Sequence, residues 1–394
     1  MTRGPVSRAS CIAVVVEMEK ITLFLFVGGW GDSDVEETLR GAHQAAARDL
    51  LERLLRTGLI GRAIVATDNP TWANAMADLP IVVDPDQQNE PFHFGRRLAR
   101  LIEKYAARRV LYAGGASAPL MTTARWSETL LSLAEAERLA ITNNVHSCDW
   151  LGLTGADEVT GLVAGAASDN ALAWMLANEG KMKVESLPPC AATRFDLDTP
   201  ADLLIARCHQ GIGPHLRAFL NALNWPHTQV EEILAVLARE GSSLTIIGRV
   251  SSAAWAALEQ ATHCWVRVFA EERGMRASGR QMRGEVRSLV SEYLDLVGCE
   301  AFFDRLAELA DGALIDNRVI LAAHRVWPAR RDRFNADLHR WELVEEPFLR
   351  SFARAAAGAR IPVLSGGHSV VAGGLLALVE VLRARVSGCV PDAP

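Results

Sequence analysis

The chain has 394 residues, of which 49% are hydrophobic and 22% charged, with a formal net charge of −6. That length predicts two folded domains rather than one, and the hydrophobic share excludes wholesale disorder. A mildly acidic balance argues against nucleic acid as a partner, and the most apolar stretches, Ile12–Val16 and Ile21–Val27, are too short to span a bilayer.

Residues 1–19 read as a ragged N-terminal extension. The first strand is Ile21–Val27, ending in Gly28-Gly29-Trp30-Gly31, and a helix follows from Asp34 through Leu55 with Leu39, Ala42, Ala46, Leu50 and Leu54 on one face. Arg62–Thr67 and Ile81–Asp84 read as strands, Phe94–Ala107 as a helix, and Arg109–Ala113 as a strand running into Gly114–Leu120. Leu139–Asn143, the helix Ala171–Glu179 and Lys183–Leu187 complete a strand–helix alternation, which predicts a mostly parallel, Rossmann-like α/β sheet over residues 20–210. A break at Gly211–Pro214 opens a helical linker, residues 211–242, with one helix expected over Trp225–Arg239. A second, smaller α/β domain is expected over residues 243–386. Its strands are Ser243–Gly248, Cys264–Phe269, one within Ala313–Ala323, and Ile361–Leu364; its helices are Glu285–Leu296, Ala301–Ala310 and Val371–Arg385. Residues 387–394 read as a disordered tail. The seven cysteines include no C-x-x-C pair, so they read as reduced thiols, and the expected location is cytoplasmic.

In open parallel sheets, ligands bind beyond the carboxyl ends of the strands, so the chemistry is sought in the strand-end loops. The sharpest local pattern is Phe195-Asp-Leu-Asp-Thr-Pro-Ala-Asp-Leu203. Asp196 and Asp198 alternate around Leu197, so extended backbone points both carboxylates to one side. Two such oxygen donors suit magnesium, which bridges to phosphates. The competing reading is a strand end followed by a helix cap, with Thr199 at the N-cap and Pro200 in the first turn.

This motif resembles the end of the catalytic domain in small nucleotidyltransferases of the molybdenum-cofactor nucleotidyltransferase and 2-phospholactate guanylyltransferase type. The resemblance covers roughly residues 20–205. Phe94–Ile102 looks like the helix preceding the family's central strand, Val110–Leu120 like the strand that delivers its "D-x-P-L" loop, and Asp169-Asn170-Ala171-Leu172 like its "T-N-A-L" segment. The resemblance implies a GT-A-like fold, an NTP and a small acceptor as substrates, magnesium as cofactor, and release of pyrophosphate. It places Asp196 and Asp198 at the metal and in catalysis, Ser117 beside the reacting phosphates, and Gly28, Gly29 and Gly31 at the nucleotide. Where the family carries its metal-binding Asp this chain has Ser117, and the loop Gly28–Ser33 holds glycines but no basic residue.

Asn143, Asn144, His146 and Asp149 bunch after a predicted strand, where a cleft loop belongs; further nucleotide contacts are sought at Asn143, Asn144, Asp169 and Asn170, with His146 as a general base, and an Asx turn with a surface His146 is the alternative. Asp84-Pro-Asp86 with Gln87, Gln88 and Asn89 is a candidate for base or ribose contacts, and Arg96 or Arg97 for a phosphate. In the second half, Arg249, Arg273, Arg276 and Arg280 and the turn Gly366-Gly367-His368 form a candidate anion site, since guanidinium groups and glycine-rich turns both suit phosphate oxygens. The competing reading is a surface network of ion pairs. The leading function is a nucleotidyltransferase. The alternatives are a sugar-nucleotide-dependent glycosyltransferase, a non-catalytic protein binding a nucleotide or anion, and chemistry lodged in the C-terminal half. Neither a nucleic acid nor a membrane is an expected partner, and a homodimer is a compatible assembly.

Overall fold

Eleven strands in two sheets form the frame of the computed structural model, which describes residues 19–87 and 90–387. The first sheet contains β1 (Ile21–Val27), β2 (Ile60–Thr67), β3 (Ile81–Pro85), β4 (Arg109–Gly114), β5 (Ala140–Thr142), β6 (Trp150–Thr154) and β7 (Val184–Ser186). Its order is β3-β2-β1-β4-β6-β5-β7. β1 runs parallel to β2 and β4, whereas β6 runs antiparallel to both β4 and β5. The second sheet contains β8 (Ser243–Gly248), β9 (Trp265–Ala270), β10 (Gly312–Asp316) and β11 (Val363–Gly366), all parallel, in the order β11-β10-β8-β9.

The central parallel strands β1, β8 and β10 are largely buried because helices cover both faces, whereas the edge strands β3 and β9 are mostly exposed or half-buried. In β1 the alternation is literal: Leu23 and Leu25 join one core cluster, and Phe24 joins another on the opposite face. The helix Asp34–Arg56 buries Leu39, Ala42, Ala46, Leu50 and Leu54, the stripe expected from their spacing. The cluster containing Leu23 continues through Leu203 and Leu204 to Leu244, Leu314 and Leu364 of the second sheet, so the two sheets share a core.

Several elements depart from the sequence-based expectation. β6 falls where a loop is expected; Gly152 at its centre lowers strand propensity, but a side chain there would stand 3.0 Å from Leu133 Cδ2. The residues 211–242 hold two helices, Pro214–Ala222 and Thr228–Ala238, instead of one. The first is tied to the protein body by Asp49, which accepts from the backbone N–H groups of His215 and Leu216 at 3.0 and 2.9 Å. The expected helix Glu285–Leu296 starts only at Leu289, with Ser288 as its cap. Helices Thr123–Glu135, Arg330–Asp337 and Pro347–Ala357 are additions to the expected set. The expected N-terminal extension (but for Glu19) and the tail beyond Ser387 lie outside the described residues, as do Gln88 and Asn89. Among the described residues the cysteines are free, and no helix is long and apolar enough to cross a membrane.

Candidate functional site

In the first sheet, strand order reverses between β1 and β4, and a crevice must open there above their carboxyl ends. A cleft of about 590 Å³ occupies that position, a size suited to a small ligand. Gly28 and Gly29 line it after β1, Thr67 and Asp68 after β2, Asp86 after β3, and Gly114–Ser117 after β4. Asp196 and Asp198 close it from a segment remote in sequence, as their alternation with Leu197 predicts: Leu197 is fully buried while both acids face the cleft.

The D-x-D segment is held from several sides. His43, on the helix Asp34–Arg56, bonds through Nε2 to the Leu197 carbonyl at 2.7 Å, and Trp30 packs edge-on against its ring at 4.5 Å. Thr199 caps the following helix, and Asp202 Oδ2 accepts from the Thr199 N–H and hydroxyl, both at 2.8 Å. The metal and cap readings of this motif are therefore compatible: the cap fixes the backbone that presents the acids.

Electrostatics single out the acids. Asp196 and Asp198 approach closely enough for hydrogen bonding, and burial followed by the Asp198 charge holds the Asp196 carboxyl well above the usual carboxylate range. Asp149 is raised to about 8 by burial, then by Asp198 and Asp169. Asp169 is raised by burial, while Tyr112, fully enclosed, donates to it at 2.9 Å. Negative charge is thus crowded, with Arg194 and the Asn143 amide offsetting only part of it at Asp149, the condition a divalent cation relieves. Among the described residues no three His, Cys, Asp or Glu side chains form a closed metal shell. An open pair of carboxylates nonetheless fits magnesium, which is commonly held by one or two carboxylates with water and substrate phosphates completing its shell.

Of the nucleotide candidates, Gly28, Gly29 and Asp169 line this cleft, whereas Gly31, Asn143, Asn144 and Asn170 are not among its lining residues. Gly28 and Gly29 line it, but the Gly29 N–H already donates to Asp68 Oδ2 at 2.8 Å; Gly31 lies beside Glu36. Ser117 is buried, and its hydroxyl donates to the Asp149 carbonyl at 2.8 Å. Asn143 is buried and brackets Asp149, donating from Nδ2 to its carboxylate at 2.5 Å and accepting its backbone N–H at 3.0 Å. Asn144 accepts the His146 N–H at 3.1 Å, an Asx turn, and His146 is exposed. Asn170 accepts from the Ser147 hydroxyl at 2.8 Å at the surface. Asp84 is buried, bonded by Arg97, Lys104 and Tyr105, so Asp84 and Arg97 are occupied with each other, while Pro85, Asp86 and Gln87 line the cleft. Arg96 is exposed on its helix.

Sequence reasoning groups Asp149 with Asn143, Asn144 and His146 at a strand end without giving it a role, and it misses Asp68, His43 and Tyr112. Asp149 shares the cleft with Ser117, the position where the resemblance places an acid, and the Ser117–Asp149 bond joins the ends of β4 and β6.

The second sheet meets the first at the same segment. A methyl group at Gly366 would stand 2.9 Å from Ala201 Cβ, and one at Gly367 would stand 3.0 Å from Thr199 Cγ2. These glycines have a packing reason: they let the end of β11 approach the D-x-D-T-P turn. The second sheet's own reversal of strand order, between β8 and β10, is filled by Arg249, whose Nε and Nη2 bond both oxygens of the buried Asp316 at 2.6 and 3.0 Å. His368 lies beside them, its value lowered to about 4 by burial and then by Arg249. Arg280 pairs with Glu272. Arg273 and Arg276 are exposed, and neither side chain forms a hydrogen bond or ion pair among the described residues.

No protein-family model and no curated protein matches the chain. Among solved structures, it is similar to a nucleotidyl transferase from Methanothermobacter at 17% identity and TM-score 0.39, covering 52% of this chain and 99% of that one. It is also similar to a cytidylyltransferase from Leptospira borgpetersenii at 13% identity and TM-score 0.38, covering 52% of this chain and 93% of that one. A 4-diphosphocytidyl-2C-methyl-D-erythritol synthase from Anaerococcus prevotii matches at 11% identity and TM-score 0.31, covering 43% and 89%. At such TM-scores these likenesses carry no argument: the fold class rests on the strand order, and the site on its geometry.

Proposed function

We propose that the chain transfers a nucleotidyl group from a nucleoside triphosphate to a small acceptor. The observation that carries this reading is the side-by-side placement of Asp196 and Asp198 at the mouth of a 590 Å³ cleft, where the strand order reverses. Asp196 and Asp198 would hold magnesium, which supplies charge neutralisation at the phosphates. The chain's residues then bind and orient. The turn after β1 and the turn after β4 border the nucleotide, His43 fixes the backbone between the two acids, and Asn143 fixes Asp149. An acceptor oxygen forms a bond to the α-phosphorus as the α–β phosphoanhydride bond breaks, and pyrophosphate leaves with the bonding pair. Resemblance of residues 20–205 to small nucleotidyltransferases agrees with this chemistry.

The test is a thermal-shift series of nucleoside triphosphates and sugar nucleotides with and without magnesium, followed by a pyrophosphate-release assay. A ligand at about 100 times its dissociation constant adds about 2.7 kcal/mol to the folded state. Magnesium-dependent stabilisation by a triphosphate, lost in Asp198→Asn, supports the reading. Stabilisation by sugar nucleotides alone moves the reaction to glycosyl transfer. A second reading, binding without turnover, is favoured by one observation: the Gly29 N–H is occupied by Asp68. Magnesium-independent binding with no pyrophosphate release would establish it.

A further inference from the structure

Many arginines in the second half are committed to acidic partners. Arg249 pairs with Asp316, Arg280 with Glu272, Arg318 with Asp337, and Arg354 with Glu300. Arg273, Arg276, Arg330 and Arg333 form no ion pair among the described residues, and with Arg194 of the first half they form a group that reaches the cleft through the contact of Arg330 with Gly29. Arg330 donates from Nη1 to the Gly29 carbonyl at 2.5 Å, and its guanidinium lies 5.2 Å from the centre of the Trp30 ring. It therefore reaches the glycine-rich turn after β1, the turn that carries no base of its own. Arg333, one helical turn on, stacks over Trp327 at 4.7 Å, yet its Nε and Nη1 are buried with no acceptor. Buried guanidinium donors without an acceptor are costly, and here they are held beside like charges from Arg318, Arg330 and Arg276, which the Asp337 carboxylate offsets only in part. Arg273 lies within electrostatic reach of both Arg194 and His368, and Arg194 within reach of Asp149. Neither Arg194, Arg273 nor Arg276 makes a side-chain hydrogen bond or ion pair among the described residues.

We propose that Arg330 and Arg333, with Arg276 and Arg273 and with Arg194 of the first half, bind the polyphosphate of the substrate, so that the second half of the chain supplies most of the positive charge that the first half's phosphate turn lacks. This rests on the nucleotidyl-transfer reading for the identity of the ligand, but not for the existence of an anion site. The orphaned Arg333 donors find acceptors in phosphate oxygens, and the like charges around them are neutralised by one multivalent anion. Arg330 ties that anion to the Gly28–Gly29 turn. The acids Asp149, Asp196 and Asp198 line the cleft, where they would repel the anion unless a cation lay between.

The experiment uses inorganic pyrophosphate as probe, titrated calorimetrically into the full chain without magnesium at two salt concentrations. The wild type is expected to bind with an affinity that falls as salt rises. Arg276→Gln and Arg333→Gln are each expected to weaken binding about tenfold, the value of one charged hydrogen bond. Arg276 is exposed and unpaired, so its replacement leaves the melting temperature unchanged and keeps the test valid should Arg333→Gln fail to fold. Asp198→Asn is expected to bind metal-free pyrophosphate as well as the wild type or better, because it removes a repelling charge. Wild-type affinity in Arg276→Gln and in a folded Arg333→Gln, or no binding by the wild type at millimolar probe, overturns the inference. If the arginine variants lose pyrophosphate while Asp198→Asn still binds nucleotides in a magnesium-dependent way, the anion site stands and the nucleotidyl-transfer reading falls. If the arginine variants are unaffected while Asp198→Asn abolishes pyrophosphate release, the reverse holds.

Discussion

Asp202 offers a measurement of what the junction between the two sheets costs in charge. It is fully buried under the D-x-D-T-P turn, and burial followed by the Asp198 charge raises its carboxyl to about 7, against the partial relief of the Thr199 contacts. Ser369, from the turn after β11, lies near enough to lower the value, though its hydroxyl falls short of hydrogen-bond geometry and Asp202 Oδ1 is left without a partner. A folded value above the unfolded one means the native state binds the proton more tightly. Its contribution is therefore complete below about pH 4 and is lost as pH rises through 7. A rise from about 4 to about 7 corresponds to an upper limit of about 4 kcal/mol. Asp202→Asn keeps an oxygen acceptor for the Thr199 N–H and hydroxyl and removes the charge. The variant is expected to match or fall slightly below the wild type at pH 5 and to exceed it at pH 8, by at most about 4 kcal/mol. Urea unfolding midpoints at both pH values measure this. An equal difference between variant and wild type at pH 5 and pH 8 refutes the reasoning.

Gly373→Ala would put a methyl group 1.9 Å from the Arg194 carbonyl oxygen, backbone against side chain, and is expected to lower stability by about 3 kcal/mol or more, read as a fall in melting temperature. Leu197→Ala removes a fully buried side chain between the two acids; about 3–5 kcal/mol of stability should be lost, with magnesium-dependent nucleotide binding lost at temperatures where the variant remains folded. His339 is lowered to about 4 by burial, with Nδ1 accepting from Gln229 at 2.7 Å. A depressed value contributes stability above about pH 6.5 that is lost as pH falls toward 4, so His339→Asn, whose short side chain tolerates the positive φ of 56°, should flatten the acid limb of the melting-temperature profile.

The legible parts of the chain are those where local pattern and tertiary role coincide. β1 and β8 are apolar runs closed by glycine, and both can be read to their ends because a doubly covered parallel strand is apolar throughout. The two acids around Leu197 are readable because strand periodicity is two wherever the backbone is extended. β6 is hidden by its central glycine, whose reason is Leu133 on a distant helix. Gly366 and Gly367 illustrate a similar problem: a phosphate turn and a tight contact with Thr199 and Ala201 leave the same residue type in the sequence. Asp149 is legible only as one of a polar group with Asn143, Asn144 and His146 at a strand end, with no role of its own. It becomes a cleft acid only when β6 pairs with β4 and brings it to Ser117. Arg330 and Arg333 are unreadable for the same reason, since their helix has no strong apolar stripe and its meaning lies in Gly29 and Trp30, some 300 residues earlier.

The two halves carry opposite electrostatic problems, and each is the remedy for the other only through a third body. The first half crowds Asp149, Asp196 and Asp198 at a cleft and raises two of them. The second half crowds Arg276, Arg330 and Arg333 and leaves buried donors unmatched. Direct pairing would have cancelled both, yet no ion pair among the described residues joins these acids to these arginines. Groups held apart in this way are satisfied together by a ligand bearing both signs, a divalent cation on the acid side and a polyphosphate on the arginine side. A single-domain nucleotide site would place its phosphate-binding base within the turn after β1. Here Gly28–Ser33 is left without one, and the contact from Arg330 to Gly29 brings one to it from the second half. On this account the second half is part of the site, and removing it would abolish polyphosphate affinity even if the first sheet stayed folded.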